Sequence, residues 1–595
     1  VSWSAVWSGR SWLLRIAGVA LLLFAPLPIL FALPAVQDFR SVSRWPGGCW
    51  VRPSTPWCTC WPVCTGGRRS GSNGTSPTCW AAGECLHAET DTTSLGSSTL
   101  SLIAIVLVAV ATGAIGAFGV RMARTTSDFL VASRTVRPGW NAAAISGEYL
   151  SAASFLGVAG LIAVQGPDAL WYPVGFTAGY LALQLFVAAP LRRSGAYTVP
   201  DFAQIRWGSP RLRTVCTALV LAIAWLYLVP QLHGAGLVLQ QVTGLPRWVG
   251  IVAVALVVTA NVVAGGMRSI TLVQAFQYWF KLMALAVPVF VIAIITRPGV
   301  QSLFAGQWAE SGSGFGGSHP ITEVYSLMLA TFLGVMGLPH VLVRFYTTPD
   351  GGSARATTVR VTALLGAFYL FPTIAGVLMH QLMPPPAPGE SADSMLLQWP
   401  AVAVGGTVGN LLAALVAAGA IAAFLATSSG LVVAAAGVLS TDVLRGRVRD
   451  FRWAAGVAGL VPLAMALPTS SLDISQVVGM AFAVAASTFC PLLVLGIWWR
   501  GLTTAGAVAG LIVGGGLSLG ALTVSVVLPG ASPGPLAGLL GQPAVGSVPA
   551  AFATMIAVSL LTRSALTQRA DAVLAALHVP GPARRAATMP DRPAH

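Results

Sequence analysis

From residue 96 onward the chain is a succession of apolar runs. Thirteen of them lie near 99–120, 140–163, 170–190, 214–242, 246–264, 270–296, 323–349, 359–383, 401–443, 453–467, 475–498, 502–528 and 547–563. A helix rises about 1.5 Å per residue, so about 20 apolar residues cross the ~30 Å hydrocarbon core of a bilayer. Lipid offers no partner to backbone polar groups, and a helix satisfies them within one segment. The runs therefore predict an all-α polytopic membrane protein. Composition agrees, with 9% of residues charged against about 25% in an ordinary soluble domain. The net charge of +15 raises nucleic-acid binding as a reading. The basic residues are spread between the runs and form no single patch, so the expected partner is the lipid bilayer and not nucleic acid.

Arginine orients the runs. Arg121, Arg124, Arg134 and Arg137 follow the first, and Arg192, Arg193, Arg206, Arg211 and Arg213 the third. Arg344, Arg355 and Arg360 mark the seventh, and Arg445, Arg447, Arg449 and Arg452 the ninth. The boundaries 383–400, 468–474 and 529–546 hold no Lys or Arg. By the positive-inside rule the odd boundaries are cytoplasmic, which places the C-terminus inside.

Residues 1–95 differ in kind. They hold Cys49, Cys58, Cys60, Cys64, Cys79 and Cys85 among Trp, Pro and Arg. CTCWPVC brings thiols close enough for a metal, but its spacing fits no common zinc pattern. Extracellular disulfides are a second reading. The reading adopted is a disordered or non-native extension. Within it, residues 12–35 form an apolar stretch that reads as a signal peptide or an extra helix.

Two runs are interrupted. The second carries Ser151, Ser154, Gly157 and Gly160, and the seventh carries Gly334, Gly337 and Pro339. Five runs apart, they cross in opposite directions. Paired breaks of opposite topology point to an inverted-repeat transporter, whose freed carbonyls hold a cation and whose half-helix N-termini favour an anion. Close helix packing through small residues is the competing account.

The motifs AISGEYLSAASFLG (144–157), QLHGAG (231–236), GGMRS (265–269), GLPHVLVRFYTTPD (337–350) and VGMAFAVAAS with WWRGLTTAGAVAG resemble the sodium:solute symporter family. The nearest branch is the cation/acetate symporters, and the resemblance covers about residues 97–563. It implies a LeuT-like fold of two inverted five-helix repeats, 129–296 and 323–500. A leading helix (96–128) precedes them. A loop (297–322) joins them, and two trailing helices (501–563) and a cytoplasmic tail (564–595) follow. It further implies sodium held by the carbonyls of Gly147, Leu150 and Ala423 and the hydroxyl of Thr427. Ala426 stands where relatives often carry a second hydroxyl. A threonine in an apolar helix also commonly bonds its own i−4 carbonyl.

Three charged residues inside the runs need an explanation. Glu148 reads as a cation-attracting acid, as a proton carrier, or as an acid stabilised at a helix N-terminus. Lys281 is the only lysine. It shares one helical face with Gln274 and Gln277, and it lies too deep to snorkel. Lys281 and Ala426 keep proton coupling open beside sodium coupling. Arg344 reads as a cytoplasmic-end anchor, with carboxylate binding as its other role. Ser151, Ser154, Gly337, His340 and Gln231 are the candidates for the substrate.

The function expected is secondary active symport of acetate or another short monocarboxylate into a bacterial cell across its plasma membrane, coupled to sodium, with proton coupling as the alternative. Proline, a sugar or a nucleobase is the alternative solute. No organic cofactor and no obligate protein partner are implied. The chain has no HExxH, no Walker loop and no GxSxG at a strand–helix turn, so no catalytic residues are expected. A channel would need a filter or charged rings, which are not evident. Residues 564–595 are too few for a signalling domain.

Overall fold

A computed structural model describes residues 82–120, 136–297, 321–387, 390–444, 447–469, 474–527, 540–562 and 568–578. Among them every regular element is helical. The cysteines 49–79 and the apolar stretch 12–35 lie outside the described residues. The end of the expected extension is not irregular, because helix α1 (Ala82–Val120) runs from it straight through the first apolar run.

After α1 come α2 (Pro138–Tyr149) and α3 (Val158–Gln165), then α4 (Trp171–Leu183) and α5 (Ala189–Arg193). The short α6 (Val199–Trp207) leads to the long α7 (Pro210–Thr243) and α8 (Arg247–Thr296). Next are α9 (Ile321–Gly334), α10 (Pro339–Val343), α11 (Gly351–Leu382), α12 (Met395–Val404) and α13 (Gly406–Val438). The chain continues through α14 (Val448–Ala466), α15 (Ile474–Ser487), α16 (Phe489–Trp498), α17 (Thr504–Val527), α18 (Ala544–Leu561) and α19 (Gln568–His578).

Local sequence explains the ends. Thr198 caps α6 through the Asp201 N–H at 3.2 Å, and Asp350 caps α11 through the Ser353 N–H at 2.7 Å. Each satisfies a donor that the first turn leaves orphaned. Two of the expected runs are merged into α8. The bend between Arg247–Met267 and Ser269–Thr296 falls at Gly266, whose φ of 58° and ψ of −163° suit only glycine.

The described residues hold eleven helices long and apolar enough to cross a membrane, and twelve spans if α2 and the following Ala153–Gln165 are taken as one bent span. Sequence reading gave thirteen. The difference is the run 453–467, which forms α14 but begins with Arg449, Asp450 and Arg452. A second difference concerns 401–443: its first residues belong to α12, and Gly405 (φ 68°) separates them from α13.

Helices α2, α8 and α13 pack together at the centre, with α1 against α8 and α13. Polar contacts fasten α1 there, through Ser269 Oγ to the Gly116 carbonyl at 2.7 Å and Gln277 Nε2 to Thr112 Oγ1 at 3.2 Å. The two breaks meet this centre from opposite ends of the sequence.

Candidate functional site

Helix α2 stops at Tyr149, and the chain resumes as a π-turn, Ala153–Gly157, at 75° to it. Leu150 to Ala152 cannot make a full set of helical bonds, so side chains from elsewhere supply them. Lys281 Nζ donates to the Gly147 carbonyl and, at 2.8 Å, to the Leu150 carbonyl. Thr427 Oγ1 donates to the Glu148 carbonyl at 2.5 Å. The Ala152 N–H donates to Gln231 Oε1 at 3.0 Å. An unpaired backbone group in an apolar interior costs several kcal/mol, so these bonds are what let the break exist.

Two of the four expected cation ligands, Gly147 and Leu150, are thus brought together, but on an ammonium. Thr427 reaches the same turn and bonds the Glu148 carbonyl across the helix interface. Ala423 is fully buried on α13. The neighbouring Ala426 carbonyl is taken by Gln274 Nε2 at 2.8 Å. Helices α2 and α8 can approach this closely because Gly147 has no Cβ: one built there would lie 2.2 Å from the Gln274 carbonyl oxygen. Gly147→Ala is expected to destabilise the purified protein by about 1–3 kcal/mol, since the obstacle is backbone. Thermal unfolding in detergent reads it, and an unchanged midpoint would show that the helices yield.

Glu148 is not at a helix N-terminus. It lies in the last turn of α2, where the macrodipole disfavours an acid. What holds it is Arg344, whose Nε donates to Glu148 Oε2 at 2.5 Å, with the arginine fully buried and the acid 1% exposed. Arg344 is therefore not a membrane-end anchor. Its Nη1 donates to Thr271 Oγ1 at 2.8 Å, and its Nη2 to Gln274 Oε1. Its carbonyl accepts from Asn141 Nδ2 at 3.3 Å. One guanidinium so joins the chain after the second break to α2 and α8. Gly430 of α13 makes room for the acid, since a Cβ there would sit 1.9 Å from Glu148 Oε1. Sequence reasoning missed Thr271 and Gly430; the small-residue stretch TSSG (427–430) was a signal for the second and not for the first.

The second break falls where Gly334, Gly337 and Pro339 predicted it. A 3-10 turn, Val335–Gly337, gives way to extended Leu338, and Pro339 opens α10. A Cβ on Gly337 would meet the Ala485 carbonyl at 2.2 Å, so the break lies directly on α15. Of the substrate candidates, Ser154 Oγ pairs with Tyr369 OH at 2.9 Å. Ser151 is buried at the break itself. Among the described residues Gln231 Nε2 has no partner, and neither ring nitrogen of His340 has one although the residue is fully buried. The His340 ring lies 5.3 Å from that of Tyr227. Tyr227 and Tyr369 escaped the sequence reading because a tyrosine in an apolar helix looks like core.

The model of the sodium:solute symporter family matches residues 129–514. The chain is 33% identical over 420 residues, 67% of its length, to YwcA of Bacillus subtilis (strain 168), which is described as an uncharacterized symporter, and it covers 80% of that protein. It is 31% identical over 437 residues, 66% of its length, to a monocarboxylic acid transporter of Corynebacterium glutamicum, covering 78% of that protein. Its fold is similar to the substrate-bound outward-open state of a Na+-coupled sialic acid symporter. The TM-score is 0.63 at 14% identity, over 78% of this chain and 98% of that one. Such a likeness shows the shared LeuT-like fold and no more.

Proposed function

The chain belongs to the sodium:solute symporter family, and from that premise we propose that it imports a short-chain monocarboxylate across the bacterial plasma membrane in symport with a proton, its C-terminus in the cytoplasm. As a family member it is a multi-pass membrane protein that carries out solute symport rather than catalysis. The acid as solute draws support from the relative that transports monocarboxylic acids. It is also in keeping with the buried neutral donors of Gln231 and His340, which can hold a carboxylate without a full countercharge.

The single observation behind the choice of ion is the position of Lys281. Its ammonium lies on the Gly147 and Leu150 carbonyls, two of the oxygens that family resemblance assigns to sodium. Two cations cannot share them, so the charge that comes and goes at this seat is the proton on the amine. Among the described residues Lys281 has no acidic partner within ion-pair distance, because Arg344 takes Glu148. Sodium coupling, which the family's name carries, would need Lys281 to withdraw.

Uptake of labelled acetate into proteoliposomes separates the two. A pH gradient without sodium is expected to drive accumulation, and a sodium gradient with the proton gradient collapsed is not. The reverse pattern would return the seat to sodium. Competition by pyruvate, propionate, proline and sugars then tests the solute, with proline or a sugar competing as well as propionate counting against an acid site.

A further inference from the structure

Between the two breaks stands a group of aromatic rings that the symport reading leaves unused. Phe482 of α15 is its centre. Its ring centroid is 5.0 Å from Phe176, 5.7 Å from Tyr227 and 6.3 Å from Tyr149. Phe176 in turn stacks on Tyr369 at 6.1 Å, with 17° between the planes. All five are at least nine-tenths buried.

Phe482 touches both discontinuities. Tyr149 is the last residue of α2, at the first break. Gly334 is the last of α9, at the second, and a Cβ on it would lie 2.6 Å from the Phe482 carbonyl and 3.0 Å from its ring carbon Cδ1. The ring is therefore pinned between the breaks by backbone on one side and by Tyr149 on the other. Polar atoms of the same neighbourhood lack partners among the described residues. The Tyr180 hydroxyl is one, its ring 4.8 Å from Tyr149, and the His340 nitrogens beside Tyr227 are others. So is Gln231 Nε2, one helical turn after Tyr227. A neutral imidazole donates from one ring nitrogen only, so the donors here are Gln231 Nε2, the Tyr180 hydroxyl and one nitrogen of His340; buried unpartnered donors call for a ligand that accepts, and a carboxylate does so with both oxygens. Its hydrocarbon tail must then lie against the rings.

We propose that Phe482 sets the upper limit on substrate length, closing the space between the breaks to acids with tails longer than those of the short-chain series. The proposal rests on the monocarboxylate reading. Phe482 is suited to the role because it is apolar and fixed. Truncating it removes bulk without orphaning a hydrogen bond, which is not true of Tyr369. An apolar pocket discriminates by about 10- to 200-fold for each methylene it excludes, and Phe482→Ala removes on the order of six carbon atoms from the wall.

The test is counterflow at symmetric pH. Proteoliposomes are preloaded with unlabelled acetate, labelled acetate is added outside, and straight-chain acids of increasing length compete. Protein-free vesicles are subtracted. In the parent, competition is expected to fall steeply beyond the short acids. In Phe482→Ala, hexanoate is expected to compete at least about tenfold better relative to propionate. Phe482→Leu, which keeps most of the bulk, is expected to fall between the two and covers the case in which the alanine variant does not fold. Identical length profiles in the parent and in the variants that fold would overturn the role of Phe482 while leaving acid transport standing. A parent in which no acid competes would overturn the monocarboxylate reading and this proposal with it.

Discussion

A Lys281→Met carrier is expected to lose substrate accumulation driven by a pH gradient by about 100-fold, the upper part of the range for coupling between two sites. It is expected to keep acetate counterflow at symmetric pH, which needs binding but no net proton movement. Two energies decide whether the variant folds. Methionine leaves the Gly147 and Leu150 carbonyls without their donor, a cost of about 1–3 kcal/mol. It also removes an ammonium that is fully buried with no acidic partner among the described residues, and replacing buried charge by apolar volume is often neutral or stabilising by about 1–4 kcal/mol. The two nearly cancel, so the loss should be one of coupling and not of expression. A Lys281→Met protein that accumulates acetate like the parent under a pH gradient would remove the amine from the mechanism.

The second large effect concerns the pair of Glu148 and Arg344. Either single neutral variant, Glu148→Gln or Arg344→Met, strands one charge in a fully buried place. Breaking such a pair typically costs about 3–5 kcal/mol, so each single variant is expected to lower the unfolding temperature sharply. The double variant Glu148→Gln with Arg344→Met carries no orphan charge and is expected to recover most of the loss. The cycle should therefore show an interaction energy at or above about 2 kcal/mol. Additive losses would mean that the two residues act separately and that the joint between the breaks lies elsewhere. Gly430→Ala probes the same contact from α13: its methyl group would collide with the carboxylate, and it is expected to resemble Glu148→Gln in stability.

Much of the site was readable before any coordinates. Gln274, Gln277 and Lys281, at i, i+3 and i+7, were expected to share a face of an apolar helix and to point into the bundle. They do, and all three are fully buried. Spacing could not say that the face meets three different neighbours: α13 at Gln274, α1 at Gln277 and α2 at Lys281. Glu148 shows the same limit. The sequence marked an acid beside a break with three readings open, and the one that placed it at a helix N-terminus fails because Glu148 lies in the last turn of α2. The chain opens at Leu150 to Ala152, where no glycine or proline stands. Side chains from α7, α8 and α13, one accepting and two donating, stabilise that opening, and they arrive from 79 to 279 residues away.

Local pattern was enough to mark this chain as a bundle of membrane helices and to locate the two spans that break, because hydrophobic length and breaker residues act locally. Which atoms answer the broken backbone follows from how the helices pack. The pairing of Lys281 with α2, of Arg344 with Glu148 and of Phe482 with both breaks depends on distances between helices. Close approaches at Gly147, Gly337 and Gly430 set those distances, and a linear pattern shows the glycine but not what fills the space its missing Cβ leaves.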